Sequence, residues 1–189
     1  MQEIITTLKK YIPLSAEDEI VLGNYLTERK LKKKEFLFRA GEPCTANYFV
    51  VKGCLRLYII NAKGVEQMIQ FGIDNWWISD YMALSTKKPS EFYLQAVEDT
   101  EVVLLEAAVQ DELFEKIPQL EKYFRMVLER AYAASQMRIH YIFNFGGEER
   151  YRHFTAMFPG FVQRVPQYLL ASYLGVTPEF LSKVRAKRE

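Results

Sequence analysis

Apolar residues change their spacing several times along the chain, and each change marks a different kind of element. Ile4, Ile5, Leu8 and Ile12 fall three and four apart, the stripe of an amphipathic helix that Pro13 ends. Ser15 is placed to cap a second short helix, with Asp18 in its first turn and Ile20, Val21, Leu22 and Leu26 on its apolar side. Arg29 to Lys34 then puts five cations into six residues. That run reads as an exposed connection entering a sheet, with a nucleic-acid patch as the alternative. From Glu35 to about Glu106 the pattern shifts to short β-branched and aromatic runs: Phe36 to Phe38, Tyr48 to Val51, Leu55 to Ile60, Gln67 to Phe71, Phe92 to Val97 and Glu101 to Leu105. Gly41, Gly53 and the polar segment Asn61 to Gly64 punctuate them as turns, which favours an antiparallel jelly roll over a parallel α/β sheet.

After Leu105 the period lengthens. Leu120, Phe124, Val127, Ala131, Ala134, Arg138 and Tyr141 recur at alternating four and three residues, the heptad spacing of a paired helix. A helix from Pro118 to Phe143 is ~39 Å long at 1.5 Å per residue, too long for one small barrel to cover. A partner helix is the expected cover, with Leu120, Phe124, Val127, Ala131, Ala134 and Arg138 as the dimer interface; the alternative is a helix lying along its own domain. Arg138 interrupts the apolar seam, and Gly146-Gly147 marks its end.

The stretch from Pro166 to Arg185 carries the most functional information. Pro166 fits a first helical position, and Leu169, Leu170, Ala171 and Leu174 give a short helix an apolar inner face. Gly175 supplies a turn, Val176 fills the space between helices, and Thr177 caps a second helix that Pro178 opens. Phe180, Leu181 and Val184 are predicted inside. This is the pattern of a helix-turn-helix. Pro178, Glu179, Ser182 and Lys183 then face solvent, where Glu179 can accept from a cytosine amino group and Lys183 can donate to guanine or to phosphate. Gln167 and Ser172 are candidates for backbone phosphates, and Arg185 and Lys187 add charge. Structural helical hairpins share this spacing.

Charge distribution sharpens the reading. The chain has 189 residues and a net charge of only +1, but residues 146–189 hold seven cations against four carboxylates, while the rest of the chain is net acidic. Two cysteines, Cys44 and Cys54, are too few for a disulfide framework or a four-thiolate cluster, and His140 and His153 show no ligand spacing, so no metal or other cofactor is expected. The sequence lacks a long apolar run and a secretory leader pattern, which predicts a cytoplasmic protein without a membrane partner. Neither a Gly-rich phosphate loop nor a nucleophilic elbow is found, so a non-enzyme is expected.

Leu37 to Ile59 (LFRAGEPCTANYFVVKGCLRLYI) and Tyr168 to Arg185 (YLLASYLGVTPEFLSKVR) resemble the barrel and the DNA-reading unit of the cyclic-AMP receptor protein and FNR family. The resemblance covers nearly the whole chain. It implies an α+β protein with an N-terminal double-stranded β-helix (jelly-roll) sensor over residues 1–117, a dimerisation helix over 118–145, and a C-terminal (winged) helix-turn-helix domain over 146–189. It further implies a homodimer on a palindromic operator in double-stranded DNA, with RNA polymerase as a further partner and a small-molecule effector. Under that likeness Gln167 stands at a phosphate-contact position, Glu179 and Lys183 stand at base-reading positions, and Pro178 replaces a longer polar side chain. The chain stops soon after the second helix, which predicts that the family's terminal hairpin is reduced or absent.

The ligand site departs from the family pattern. Members that bind cyclic AMP use a Gly-Glu-Leu turn and an Arg-Ser or Arg-Thr pair; the matching segments here are Ser79-Asp80-Tyr81 and Ser90-Glu91. Asp80 can still hold a hydroxyl, but Glu91 would repel a cyclic phosphate and Lys87 or Lys88 are poorer clamps than arginine. The effector is therefore expected not to be cyclic AMP. The iron-sulfur branch lacks its cysteines here, and a haem branch would have only Cys44 or Cys54 inside the barrel as ligands. The candidate effector pocket is Trp77, Ser79, Asp80, Tyr81, Ser90, Glu91 and Phe92, with Trp76 and Tyr93 nearby; these aromatics line a pocket or fill the core. A ligand-binding module acting through protein partners, without DNA, remains the competing function.

Overall fold

The computed structural model describes residues 1–187; Arg188 and Glu189, counted in the basic C-terminal charge, lie outside the described residues. The chain forms two compact units, one from Met1–Ile59 with Gln70–Glu129, the other from Ile60–Ile69 with Arg130–Glu189.

The first unit opens with α1 (Gln2–Lys9) and α2 (Ala16–Gly23). Ser15 and Asp18 close a reciprocal capping box on α2, with Asp18 N donating to Ser15 Oγ at 3.0 Å and Ser15 N to Asp18 Oδ2 at 2.8 Å. The strands follow: β1 (Leu26–Leu31), β2 (Phe36–Phe38), β3 (Ala46–Lys52), β4 (Cys54–Ile60), β5 (Glu66–Ile73), β6 (Trp77–Ile78), β7 (Tyr93–Ala96) and β8 (Thr100–Glu106), with α3 (Tyr81–Thr86) between β6 and β7. They make two four-stranded sheets, ordered β1-β8-β3-β6 and β2-β7-β4-β5. This is the double-sheet layout of a jelly roll. Phe38 of one sheet meets Tyr48 of the other with ring centroids 6.2 Å apart. Gly53 makes the β3–β4 turn at φ +112°, and a Cβ there would lie 2.6 Å from Thr100 Oγ1, so glycine is required twice over.

Parts of this unit depart from the pattern expected of the sequence, Leu26 among them, which opens β1 and does not belong to α2. The cationic run is not a connection: its first half is β1, paired in register with β8 from Leu26↔Leu105 to Leu31↔Thr100. Only Leu26 and Leu31 at its ends are buried, so the alternation that announces a strand is missing; a charged edge strand is also one that resists pairing with other chains. Helix α3 was also unforeseen; Asp80 caps it, Oδ1 accepting from the amides of Met82 and Ala83 at 3.0 Å each.

Helix α4 (Gln110–Lys116) leads to α5 (Gln119–Asn144), a continuous 26-residue helix whose first ten or so residues belong to the first unit. Leu120, Tyr123 and Phe124 join Ile4, Leu8, Phe49, Trp77, Val103, Leu113 and Ile117 in one buried core. In the second unit come α6 (Gly147–Met157), α7 (Pro159–Arg164), α8 (Gln167–Leu174) and α9 (Pro178–Ala186). Among the described residues no strand lies beyond β8.

Candidate functional site

Helices α8 and α9 are built on a small apolar core. Leu170, Ala171 and Leu174 of α8, Leu181 and Val184 of α9 and Tyr151 of α6 are buried together. Ala171 is fully buried, small enough for two crossing helices to approach closely. Gly175 turns the chain at φ +67° and ψ +38°, the left-handed C-terminal stop that L side chains adopt at a cost. Thr177 caps α9, its Oγ1 accepting from Phe180 N at 3.1 Å, and Pro178 occupies the first turn. Pro166 stands one place earlier than predicted, as the residue before the helix. Phe180 is not enclosed: it lies half open against the start of α6, where a Cβ on Gly147 would meet its ring and Val176 at 2.7 Å. Gly147 is thus the residue that lets α6 approach the turn. Gly147→Val is expected to displace Phe180 and lower the unfolding midpoint by several degrees in a thermal melt.

With that core filled, α9 turns Pro178, Glu179, Ser182 and Lys183 outward, all exposed, with Thr177 and Lys187 at its ends. Glu179, Ser182, Lys183 and Ala186 fall three to four apart and share one face. Gln167 is exposed at the start of α8 beside Tyr168, which the sequence reading passed over and which is also open to solvent. Arg185 is half-buried and lines an open groove of about 350 Å³ with Tyr151, Thr155, Ala156, Pro159, Val162 and Gln163.

Ser172 is occupied elsewhere. Its hydroxyl accepts from Met68 N at 3.0 Å and donates to Glu66 O at 3.2 Å. Arg138 lies against the same segment, donating to Ile69 O at 2.7 Å, Met68 O at 2.9 Å and Tyr173 O at 3.0 Å, with its guanidinium 4.2 Å over the Tyr173 ring. Burial pulls the Arg138 pKa below its ordinary value and lifts that of the Tyr173 phenol.

The seam drawn from the sequence divides along α5. Leu120 and Phe124 are inside the core of their own unit, Val127 packs against that core, and Arg138 turns to the strand segment just described. Ala131 and Ala134 are exposed. The apolar face that stays open is offset by one residue, ~100° around the helix: Leu128, Tyr132, Ile139 and Ile142, with Ser135 between them. Tyr132 is 66% exposed and Ile139 53%, too much apolar surface on one stripe to be incidental. The first part of the heptad pattern thus serves the chain's own barrel.

In the barrel, Asp80 and Ser90 come together, Ser90 Oγ donating to Asp80 Oδ2 at 2.6 Å. Ser90 Oγ also accepts from Phe92 N at 3.0 Å. Ser79 donates to Ala46 O at 2.7 Å and lies 3.3 Å from Cys44 Sγ. Burial raises the Tyr81 phenol to about 12, so it stays neutral. Glu91 is exposed, and the Trp77 indole N–H donates to Tyr123 Oη at 3.0 Å within the core beside Phe124. A buried arginine does exist in the barrel, on β4: Arg56 Nε donates to Gln95 Oε1 at 2.8 Å, and its guanidinium lies 4.2 Å over Tyr58.

Residues 28–116 match the family model for the cyclic nucleotide-binding domain. The transcriptional activator protein Anr of Pseudomonas aeruginosa is 30% identical over 180 residues, which are 88% of this chain and 70% of that protein. This chain belongs to the CRP/FNR family of DNA-binding transcription regulators. The anaerobic regulatory protein of Pasteurella multocida is 25% identical over 89% of this regulator and 66% of its own length, so the chain spans about two thirds of such relatives. Among solved structures, FixK2 from Bradyrhizobium japonicum shares the fold with a TM-score of 0.75 at 18% identity, covering 86% of this chain and 83% of that one. No helix among the described residues is long and apolar enough to cross a membrane.

Proposed function

We propose that this CRP/FNR regulator acts in the cytoplasm as a homodimer on palindromic DNA, placing one α9 in each of two adjacent major grooves. The observation that carries the reading is the outward face of α9, where a capped helix start and a filled core leave Glu179, Ser182 and Lys183 exposed to solvent. Glu179 accepts from a cytosine amino group, Lys183 donates to guanine or phosphate, and Gln167 with the amides at the start of α8 holds the backbone. Thr177 keeps its hydroxyl proton for a phosphate while capping, and Pro178, Arg185 and Lys187 complete the surface without reading bases. Ser172 is left out of the contact set because its hydroxyl is committed to Glu66 and Met68. RNA polymerase is the partner that converts occupancy into transcription.

Glu179→Ala and Lys183→Ala are each expected to relax selection at one base position in a randomised-duplex selection, by about 1–3 kcal/mol. Unchanged selection in both variants would remove α9 as the reader.

The effector in this proposal is a small molecule other than cyclic AMP. Asp80 and Ser90 already satisfy one another, Glu91 brings negative charge where a phosphate would sit, and Arg56 is engaged by Gln95. Calorimetric titration with cyclic AMP is expected to show no saturable heat, and saturable binding with a defined stoichiometry would refute this part of the account.

A further inference from the structure

Strand β5 is the edge of its sheet, and the backbone groups of Glu66 and Met68, two residues apart on the same side, face α8. Two side chains cover them. Ser172 of α8 takes Met68 N and gives its proton to Glu66 O; Arg138 of α5 gives protons to Met68 O and Ile69 O. The same guanidinium reaches Tyr173 O through Nη2 at 3.0 Å and Nε at 3.2 Å. Tyr173 O lies in the last turn of α8, where helix carbonyls lack intrahelical partners and a cation is favourable to the helix dipole. Arg138 is therefore a C-terminal cap for the first reader helix, supplied from α5, one residue before Ile139 of the open apolar stripe.

We propose that Arg138 and Ser172 are positioning residues that clasp the reader to the dimerising helix and thereby set the half-site spacing the protein accepts. The inference rests on the dimeric DNA-binding reading above. A dimer must present two α9 helices about one DNA turn apart, ~34 Å, and rigid placement of each reader on its own α5 makes that separation a fixed property. A reader freed from the clasp still recognises its half-site, because Glu179 and Lys183 are untouched. What it loses is the penalty for a wrong separation and the advantage of preorganisation at the right one.

The test uses the full chain with Ser172→Ala, Arg138→Gln and the charge-preserving Arg138→Lys. Duplexes selected from a random pool carry two half-sites whose separation is stepped by single base pairs, alongside a duplex with one half-site. Amide exchange at Met68 is followed by NMR in the absence of DNA. In Ser172→Ala the Met68 amide is expected to exchange about tenfold faster or more. In all three variants, affinity at the optimal spacing is expected to fall about tenfold while neighbouring spacings become nearly equivalent and half-site binding is unchanged. If Arg138→Gln fails to fold, Ser172→Ala and Arg138→Lys carry the comparison. An unaltered spacing profile in Ser172→Ala with accelerated Met68 exchange would overturn the spacing role, and an unprotected Met68 amide in the unmodified protein would overturn the clasp. Failure of the unmodified protein to bind any duplex would instead refute the DNA-binding reading and the spacing role with it, with the clasp still read from Met68.

Discussion

Ile139→Glu is expected to separate the two copies. Ile139 lies within the exposed stripe on α5, flanked one turn either side by Ser135 and Ile142 and continued by Tyr132. In a two-fold pairing the same stripe meets itself, so one substitution brings two carboxylates into one apolar seam. Each must stay hydrated or be protonated, and the cost of burying them is of the order of several kcal/mol, enough to raise the dimer dissociation constant by a factor of about 100 or more. DNA affinity should then fall by about 10² because the second half-site is no longer bound as an intramolecular event. Sedimentation velocity at micromolar concentration reads the first effect and titration of a two-half-site duplex the second. A dimer that survives the change would place the interface elsewhere. Phe124→Ala makes the contrast, since Phe124 sits in the barrel's own core between Trp77, 4.9 Å away, and Phe114, 5.2 Å away: it is expected to lower stability and leave the association state alone.

Leu181→Ala is expected to unfold the reader. Leu181 is fully buried in a small core with Tyr151, Leu170, Ala171, Leu174 and Val184, edged by the half-buried Phe154, Val162, Tyr173 and Val176. A leucine-to-alanine change in such a site costs about 2–5 kcal/mol, and a unit this small has little else to spare. Denaturant unfolding should show the loss, and DNA binding should vanish with it. Ser182→Ala, one residue on but exposed, is expected to leave the unfolding midpoint within experimental error. If Leu181→Ala were as stable as the unmodified protein, α8 and α9 would not be packed as a helix-turn-helix.

The turn residues were the most legible part of the sequence. Ser15, Gly53, Gly175 and Thr177 each announce a local backbone geometry through their own chemistry, and each is found doing that job. Residues whose role depends on a distant neighbour were not legible. Arg138 read as a defect in an apolar seam because its acceptors, Met68 O and Ile69 O, are about seventy residues away and are backbone atoms, which leave no trace in side-chain pattern. Ser172 was assigned to phosphate for the same reason. The heptad pattern fixed where α5 runs but not which face meets what, since Leu120 and Phe124 serve the barrel while Tyr132, Ile139 and Ile142 stay open. In the barrel, the sequence places Asp80 and Ser90 in one neighbourhood, but the hydrogen bond that joins them depends on a side-chain geometry that the pattern does not carry.

If the face carrying Glu179 and Lys183 reads duplex DNA, binding to a selected palindromic duplex must depend on salt. A dimer contacting phosphates through both readers should lose affinity linearly in a plot of log K against log salt, with a slope steeper than about −4, and Glu179→Ala should shift base preference without changing that slope. Affinity that ignores salt, or that is equal for the selected duplex and an unrelated one, would contradict the account and leave the C-terminal helices as a surface for protein partners.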